Sequence, residues 1–143
     1  MKCDGCTECC KLGIKEFKKP VGKYCDYFDL ETKLCTIYST RPEECRNFKC
    51  IYSQMKKCSI NFRPDICGVI FEKISERIII GTFDDLHEIN SMILDQMRYF
   101  SNEGYSVVLF NKNIEGPFIY LAKEHDLNEI INEIDLKAID RIW

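Results

Sequence analysis

The stretch Val69-Ile70-Phe71-Glu72-Lys73-Ile74-Ser75-Glu76-Arg77-Ile78-Ile79-Ile80-Gly81-Thr82-Phe83 carries two runs rich in β-branched and aromatic residues. The runs, Val69–Lys73 and Ile78–Phe83, flank Ser75-Glu76 and read as two strands joined by a turn. Toward the C-terminus, Asp85 is placed as a helix N-cap, with Glu88 three residues on. Leu86, Ile89, Ile93, Met97 and Phe100 then recur at helical spacing. Asn102 to Gly104 ends that helix. Tyr105–Phe110 reads as a third strand, Asn111 to Gly116 as a turn-rich loop and Phe118–Ala122 as a fourth strand. Asp126 and Glu129 repeat the capping pattern before a last helix, whose apolar face is Leu127, Ile130, Ile134, Ala138 and Ile142. The order β-β-α-β-β-α predicts an α+β fold: a small antiparallel sheet with helices on one face.

Toward the N-terminus the texture changes. All ten cysteines lie within residues 3–67, with three of the four prolines (Pro20, Pro42, Pro64) and little periodicity. The reading is a cysteine-rich, loop-rich part over 1–67 packed on a small α+β part over 68–143. The chain of 143 residues suffices for one ordinary domain or two very small ones. A loop-rich segment buries little apolar surface, so another term must offset the entropy of ordering it. Metal ligation supplies one, because binding free energy becomes folding free energy.

The bulk numbers exclude other classes. Apolar residues are 45% and charged residues 30%, a globular rather than disordered composition. No apolar run approaches the ~20 residues that span a bilayer, and Met1-Lys2-Cys3-Asp4 opens without the apolar core of a secretion signal. A cytoplasmic, reducing location is therefore expected, where clustered cysteines mean metal or redox chemistry rather than disulfides. Residues 1–67 carry 13 Lys and Arg against 9 Asp and Glu; residues 68–143 carry 7 against 14. The basic excess balances thiolates better than it describes a nucleic-acid surface, since no basic stripe with interleaved aromatics accompanies it. Phosphate-binding glycine loops are absent.

The cysteines form two motifs. The first is Cys3-x2-Cys6-x2-Cys9-Cys10. Its two short spacers allow three sulfurs to reach one centre from a single loop, as in bacterial ferredoxins, where the fourth ligand is remote. Cys3, Cys6 and Cys9 are therefore expected to share a centre completed by a cysteine of the 25–50 set. Adjacent side chains tend to diverge, which assigns Cys10 to a second centre or to none. The second motif is Cys25, Cys35, Cys45 and Cys50. It runs through Tyr24-Cys25-Asp26-Tyr27-Phe28, Cys35-Thr36-Ile37-Tyr38 and Arg41-Pro42-Glu43-Glu44-Cys45-Arg46-Asn47-Phe48-Lys49-Cys50. The Arg-Asn-Phe-Lys spacer is short enough for Cys45 and Cys50 to reach one centre.

Together these residues resemble the family named for its Cys-x2-Cys-x2-Cys-Cys signature and described as zinc- or iron-chelating, over roughly residues 3–50. The resemblance implies metal binding and little beyond it; some members are linked to protein lysine methylation in much longer chains. Residues 68–143 carry no motif of that family.

Soft, all-thiolate donors suit both zinc and iron–sulfur clusters. One fused run rather than two separate Cys-x2-Cys knuckles favours a 4Fe-4S cluster, with Zn2+ as the alternative. The function expected is electron transfer, or iron or sulfur delivery to a protein partner. The alternatives are a zinc-stabilised interaction module and an enzyme with an open iron site. Cys58 and Cys67 lie outside the motifs and read equally as small apolar side chains. Arg41 and Arg46 are read as structural ions, and His87 and His125 as surface or core residues. Tyr24, Tyr27, Phe28, Tyr38 and Phe48 are read as a shell around the centre.

Overall fold

A computed structural model describes residues 5–12, 17–19, 22–83, 89–111 and 117–137. The cysteine-rich part holds short elements only. Strands β1 (Phe28–Asp29) and β2 (Leu34–Cys35) pair antiparallel. Helices α1 (Glu43–Asn47), α2 (Ile51–Gln54) and α3 (Pro64–Cys67) follow. Beyond them come β3 (Val69–Lys73), β4 (Ile78–Phe83), α4 (Ser91–Asn102), β5 (Ser106–Asn111), β6 (Phe118–Tyr120) and α5 (Leu127–Lys137). The class is α+β, as the periodicity indicates.

The sheet order is β3-β4-β5-β6, and it is mixed rather than antiparallel. β3 pairs antiparallel with β4, β4 parallel with β5, and β5 antiparallel with β6. α4 lies in the connection between β4 and β5, and a crossover of this kind is what lets successive strands run parallel. Nor do the helices share one face. Val69, Phe71, Ile79, Val107 and Leu109 pack with Ile93, Met97 and Phe100 of α4. Ile78, Ile80 and Val108 pack with Ile130 and Ile134 of α5. Successive strand residues point to opposite faces, so Ile78-Ile79-Ile80 and Val107-Val108-Leu109 serve two cores. Such unbroken apolar runs are the mark of a strand covered on both sides.

The expected Asp85 cap, with Leu86, His87 and Glu88, lies outside the described residues. α4 starts later, at Ser91, where the Asn90 side chain accepts from the Ile93 amide at 3.0 Å. Gly104 has φ +92°, beyond the end of α4, where a side chain would be strained. Asp126 behaves as expected: its Oδ1 accepts from the Asn128 and Glu129 amides at 2.9 and 3.2 Å. Gly81 is required for another reason. A Cβ there would collide with the Leu109 side chain and stand 3.0 Å from Phe71 and Val69.

The larger core crosses the compositional boundary. Ile51 and Cys67 are buried in it, with Met55 and Phe62 against its rim. Gln96 of α4 is buried, and its Nε2 donates to the Asn61 carbonyl.

His125 is a structural residue. Its Nδ1 lies 2.8 Å from Ser106 Oγ, which also accepts from the Ala122 amide at 3.0 Å. Ser106 is fully buried, and the pair fastens the segment after β6 to the start of β5. Ser106→Ala leaves the Ala122 amide buried without that partner. It is expected to cost about 1–3 kcal/mol in urea unfolding. A variant as stable as the parent would remove this role.

Candidate metal centre

The first motif folds as a 3-10 turn, Glu8–Lys11, too short to bury any of its own residues. Its carbonyls anchor the next segment: the Cys25 amide donates to the Cys10 carbonyl at 3.1 Å and the Gly22 amide to Lys11 at 2.8 Å. Cys25 in turn accepts from the Phe28 amide at 2.9 Å, and Phe28 sits opposite Cys35 in the β1–β2 pair. Backbone bonds thus chain Cys10, Cys25 and Cys35 together across 25 residues of sequence. Cys45 is carried on α1, directly after the Arg41-Pro42 corner. Its thiol lies within electrostatic reach of Cys25, Cys35 and Cys9, and the Cys10 thiol within reach of Cys35, Cys25 and Cys45.

A second neighbourhood lies beside it. Cys6, Cys9 and Cys50 line one small pocket with Tyr52, Pro64 and Ile70. Cys50 is buried there as the residue preceding α2. The Cys6 sulfur accepts from the backbone amides of Glu8 and Asp65, the latter in the first turn of α3. Amide donors aimed at sulfur favour the thiolate form. Burial outweighs them in the metal-free chain and pushes the Cys6 thiol up to about 11.

Cys9 and Cys10 join the two neighbourhoods. Their thiols do not diverge, as adjacent side chains were expected to, but lie close enough to couple electrostatically. The 3-10 turn, tighter than an extended strand, brings them together. The interaction raises Cys9 well above the usual thiol range and lowers Cys10. Between Cys45 and Cys50 the chain is extended at Phe48 and again at Cys50.

All nine described cysteines are free thiols. Cys3 lies outside the described residues, and among those described no group of three or more His, Cys, Asp or Glu side chains is placed to hold a metal ion. The donor chemistry nevertheless fits a soft metal: thiols without disulfides, backbone N–H groups on Cys6, and cations close by. Lys19 lies within reach of Cys25, Cys10 and Cys45. Arg41 bears on Cys9 and Cys45, and Arg63 on Cys6.

Lys19 and Arg63 escaped the sequence reading. A signal for Arg63 is present: Arg63-Pro64-Asp65-Ile66-Cys67 repeats the arginine, proline, acid and cysteine order of Arg41-Pro42-Glu43-Glu44-Cys45. Lys19 has no comparable mark.

The aromatic shell is only partly formed. Phe28 is buried and stacks on Tyr24 at 4.8 Å, with Lys11 over the outer ring. Tyr38 is 65% exposed and Tyr27 41% exposed, so neither encloses the thiols. Arg41 stacks 3.8 Å from the Tyr38 ring and donates to its carbonyl at 2.9 Å, which holds the guanidinium at the α1 corner. Cys67 is a core residue, 2% exposed, with its thiol donating to the Val69 carbonyl at 3.3 Å. Cys58 is half-buried and donates to Ser59. His87 lies outside the described residues.

No family model and no solved structure matches this chain. Among the described residues no helix is long and apolar enough to cross a membrane.

Proposed function

We propose that the chain is a thiolate-ligated metal protein of the iron–sulfur type, acting in electron transfer or in iron or sulfur delivery to a protein partner. The observation that carries this reading is the gathering of Cys10, Cys25, Cys35 and Cys45, distant in sequence, as free thiols beside Lys19 and Arg41. Closely spaced thiolates repel, so a bound cation would stabilise the ionised form of such a group. The resemblance of residues 3–50 to a metal-chelating family points the same way. Cys6, Cys9, Cys10, Cys25, Cys35, Cys45 and Cys50 would hold the metal, with Cys3 added by the spacing of the first motif. When bound, a cluster supplies reversible one-electron chemistry. The chain's own groups set its surroundings: amides on Cys6, cations at Lys19, Arg41 and Arg63, and the Tyr24–Phe28 stack.

Metal and sulfide analysis with visible absorption, on anaerobically purified protein, tests the proposal. A brown protein bleached by dithionite is the expected result. A colourless protein holding zinc would replace it with the interaction-module reading. Cys6→Ser is expected to lower metal content sharply, because a hard oxygen poorly replaces a soft thiolate. Cys58→Ser should leave it unchanged. Full metal in the Cys6→Ser protein would remove Cys6 from the ligand set.

A further inference from the structure

We infer that Arg63, fixed by Asp65, is a positioning residue for the first cysteine motif: it docks the Gly5–Cys6 turn on the sheet part and thereby places the Cys6 sulfur. The inference deepens the metal-protein reading above and rests on it for what that sulfur holds. Its ground is the contact between the Arg63-Pro64-Asp65 corner and the turn. Arg63 Nε lies 2.8 Å from Asp65 Oδ1, the two side chains being 19% and 32% exposed. A Cβ built on Gly5, which sits at φ +82°, would stand 3.9 Å from Arg63 Nη2, so the far end of the guanidinium lies against that turn. Pro64 and Cys6 line one pocket, and the Cys6 sulfur accepts from the Asp65 amide. Three consecutive corner residues thus meet two consecutive motif residues. The corner is itself tied to the sheet part on both sides. Asn61, before it, is gripped by the buried Gln96, and Cys67, after it, is buried in the larger core.

The other copy of the corner explains why this arginine reaches outward. In Tyr38-Ser39-Thr40-Arg41-Pro42-Glu43-Glu44-Cys45 and in Ile60-Asn61-Phe62-Arg63-Pro64-Asp65-Ile66-Cys67, a 3-10 turn precedes the arginine and a short helix carries the cysteine. Arg41 is held on its own turn, donating to the Tyr38 carbonyl and stacked on the Tyr38 ring. Ile60 stands in the place of that ring in the second copy and offers no π face to a cation. Glu43 accepts from Asn47 Nδ2 at 3.3 Å, whereas its counterpart Asp65 meets the arginine. The cysteines differ too: Cys45 is half-buried, while Cys67 is turned into the core and donates to the Val69 carbonyl. The second copy therefore offers the cysteine-rich part a fixed guanidinium instead of a thiol. A guanidinium suits this task, because its planar fork holds a carboxylate at one edge while the other edge reaches a neighbour.

The test is backbone hydrogen exchange, read by mass spectrometry, on the full-length protein purified anaerobically, with iron, sulfide and zinc measured in each sample. Arg63→Gln is expected to speed exchange over residues 5–12 about tenfold, the effect of losing one charge-assisted contact. Residues 69–83 and 106–111 should keep the parent's protection. Arg63→Lys keeps the charge without the fork and should recover at most about half of that loss. Asp65→Asn should speed exchange in the same segment, and it gives the comparison a second time where Arg63→Gln fails to fold. The double variant should exchange no faster than Arg63→Gln, because Asp65 acts through Arg63. In the metal-bearing protein, chelator should strip Arg63→Gln faster than the parent. Unchanged exchange over residues 5–12 in Arg63→Gln overturns the docking. Equal acceleration of the sheet segments in both Arg63→Gln and Asp65→Asn overturns it as well, since it marks a general loss of stability. Full recovery by Arg63→Lys overturns the role of the fork. A parent without metal removes the metal-protein reading, and the same exchange comparison then decides the docking on its own.

Discussion

Stripping thiolate-bound metal from the purified chain is expected to open residues 5–49 to protease while residues 51–67 and the sheet stay resistant. The reason lies in what is buried. Among the described residues from 5 to 49, only Phe28 and Pro42 are buried. Strands of two residues and a five-residue helix cannot supply the rest. Ordering each residue costs about 1–2 kcal/mol of backbone entropy, and one buried phenylalanine returns about 1.5–3 kcal/mol. Metal binding to small cysteine-rich peptides releases about 10–16 kcal/mol at neutral pH, enough to change the balance. Composition alone puts the limit of metal dependence at residue 67. Packing moves it back, since Ile51 and Cys67 belong to the sheet core and Gln96 grips Asn61. Trypsin digestion with and without prior chelation, read by mass spectrometry, locates the cuts. The Lys and Arg residues at 11, 15, 18, 23, 33, 46 and 49, none followed by proline, offer sites throughout the segment. Unchanged resistance over residues 5–49 after complete metal removal would refute the dependence. Cuts extending equally through 51–67 would refute the revised limit.

Met97→Ala is expected to cost about 2–5 kcal/mol of unfolding free energy, the usual range for emptying a buried methionine site. Met97 is fully buried on α4, in the core shared by Val69, Phe71, Ile79, Val107 and Leu109. Its neighbours sit on β3, β4 and β5 of one hydrogen-bonded sheet, so the cavity can collapse only in part. A domain of this size has about 5–15 kcal/mol in total, and the loss is therefore a large fraction of it. Urea unfolding followed by circular dichroism measures it. Metal content of the still-folded variant should match the parent, because among the described residues no cysteine of the two motifs belongs to this core. A cost below about 0.5 kcal/mol, the range of surface changes, would show that α4 does not carry the core.

The sequence by itself determined the local terms. Runs of β-branched and aromatic residues located β3, β4, β5 and β6, and helical spacing located α5, to within a few residues, because both signals arise from the backbone of the element itself. Asp126 capped as expected for the same reason: an N-cap is satisfied within one turn. The cysteine spacings marked the candidate ligands, since a sulfur donor is identified by residue type.

Tertiary structure decided what depends on partners distant along the chain. Strand direction is one case. Nothing within Ile78–Phe83 states that it will pair parallel with Ser106–Asn111, although the doubled apolar runs at 78–80 and 107–109 were a legible sign of two covered faces. Helix placement is another: α4 and α5 have similar amphipathic patterns, and only the handed crossover and the strand order send them to opposite faces. The grouping of the thiols is the third. Cys9 and Cys10, neighbours by sequence, are brought to one another by the tight turn at Glu8–Lys11, against the divergence expected of adjacent side chains. Spacing states which sulfurs can reach a common point; the path of the backbone selects which of them do.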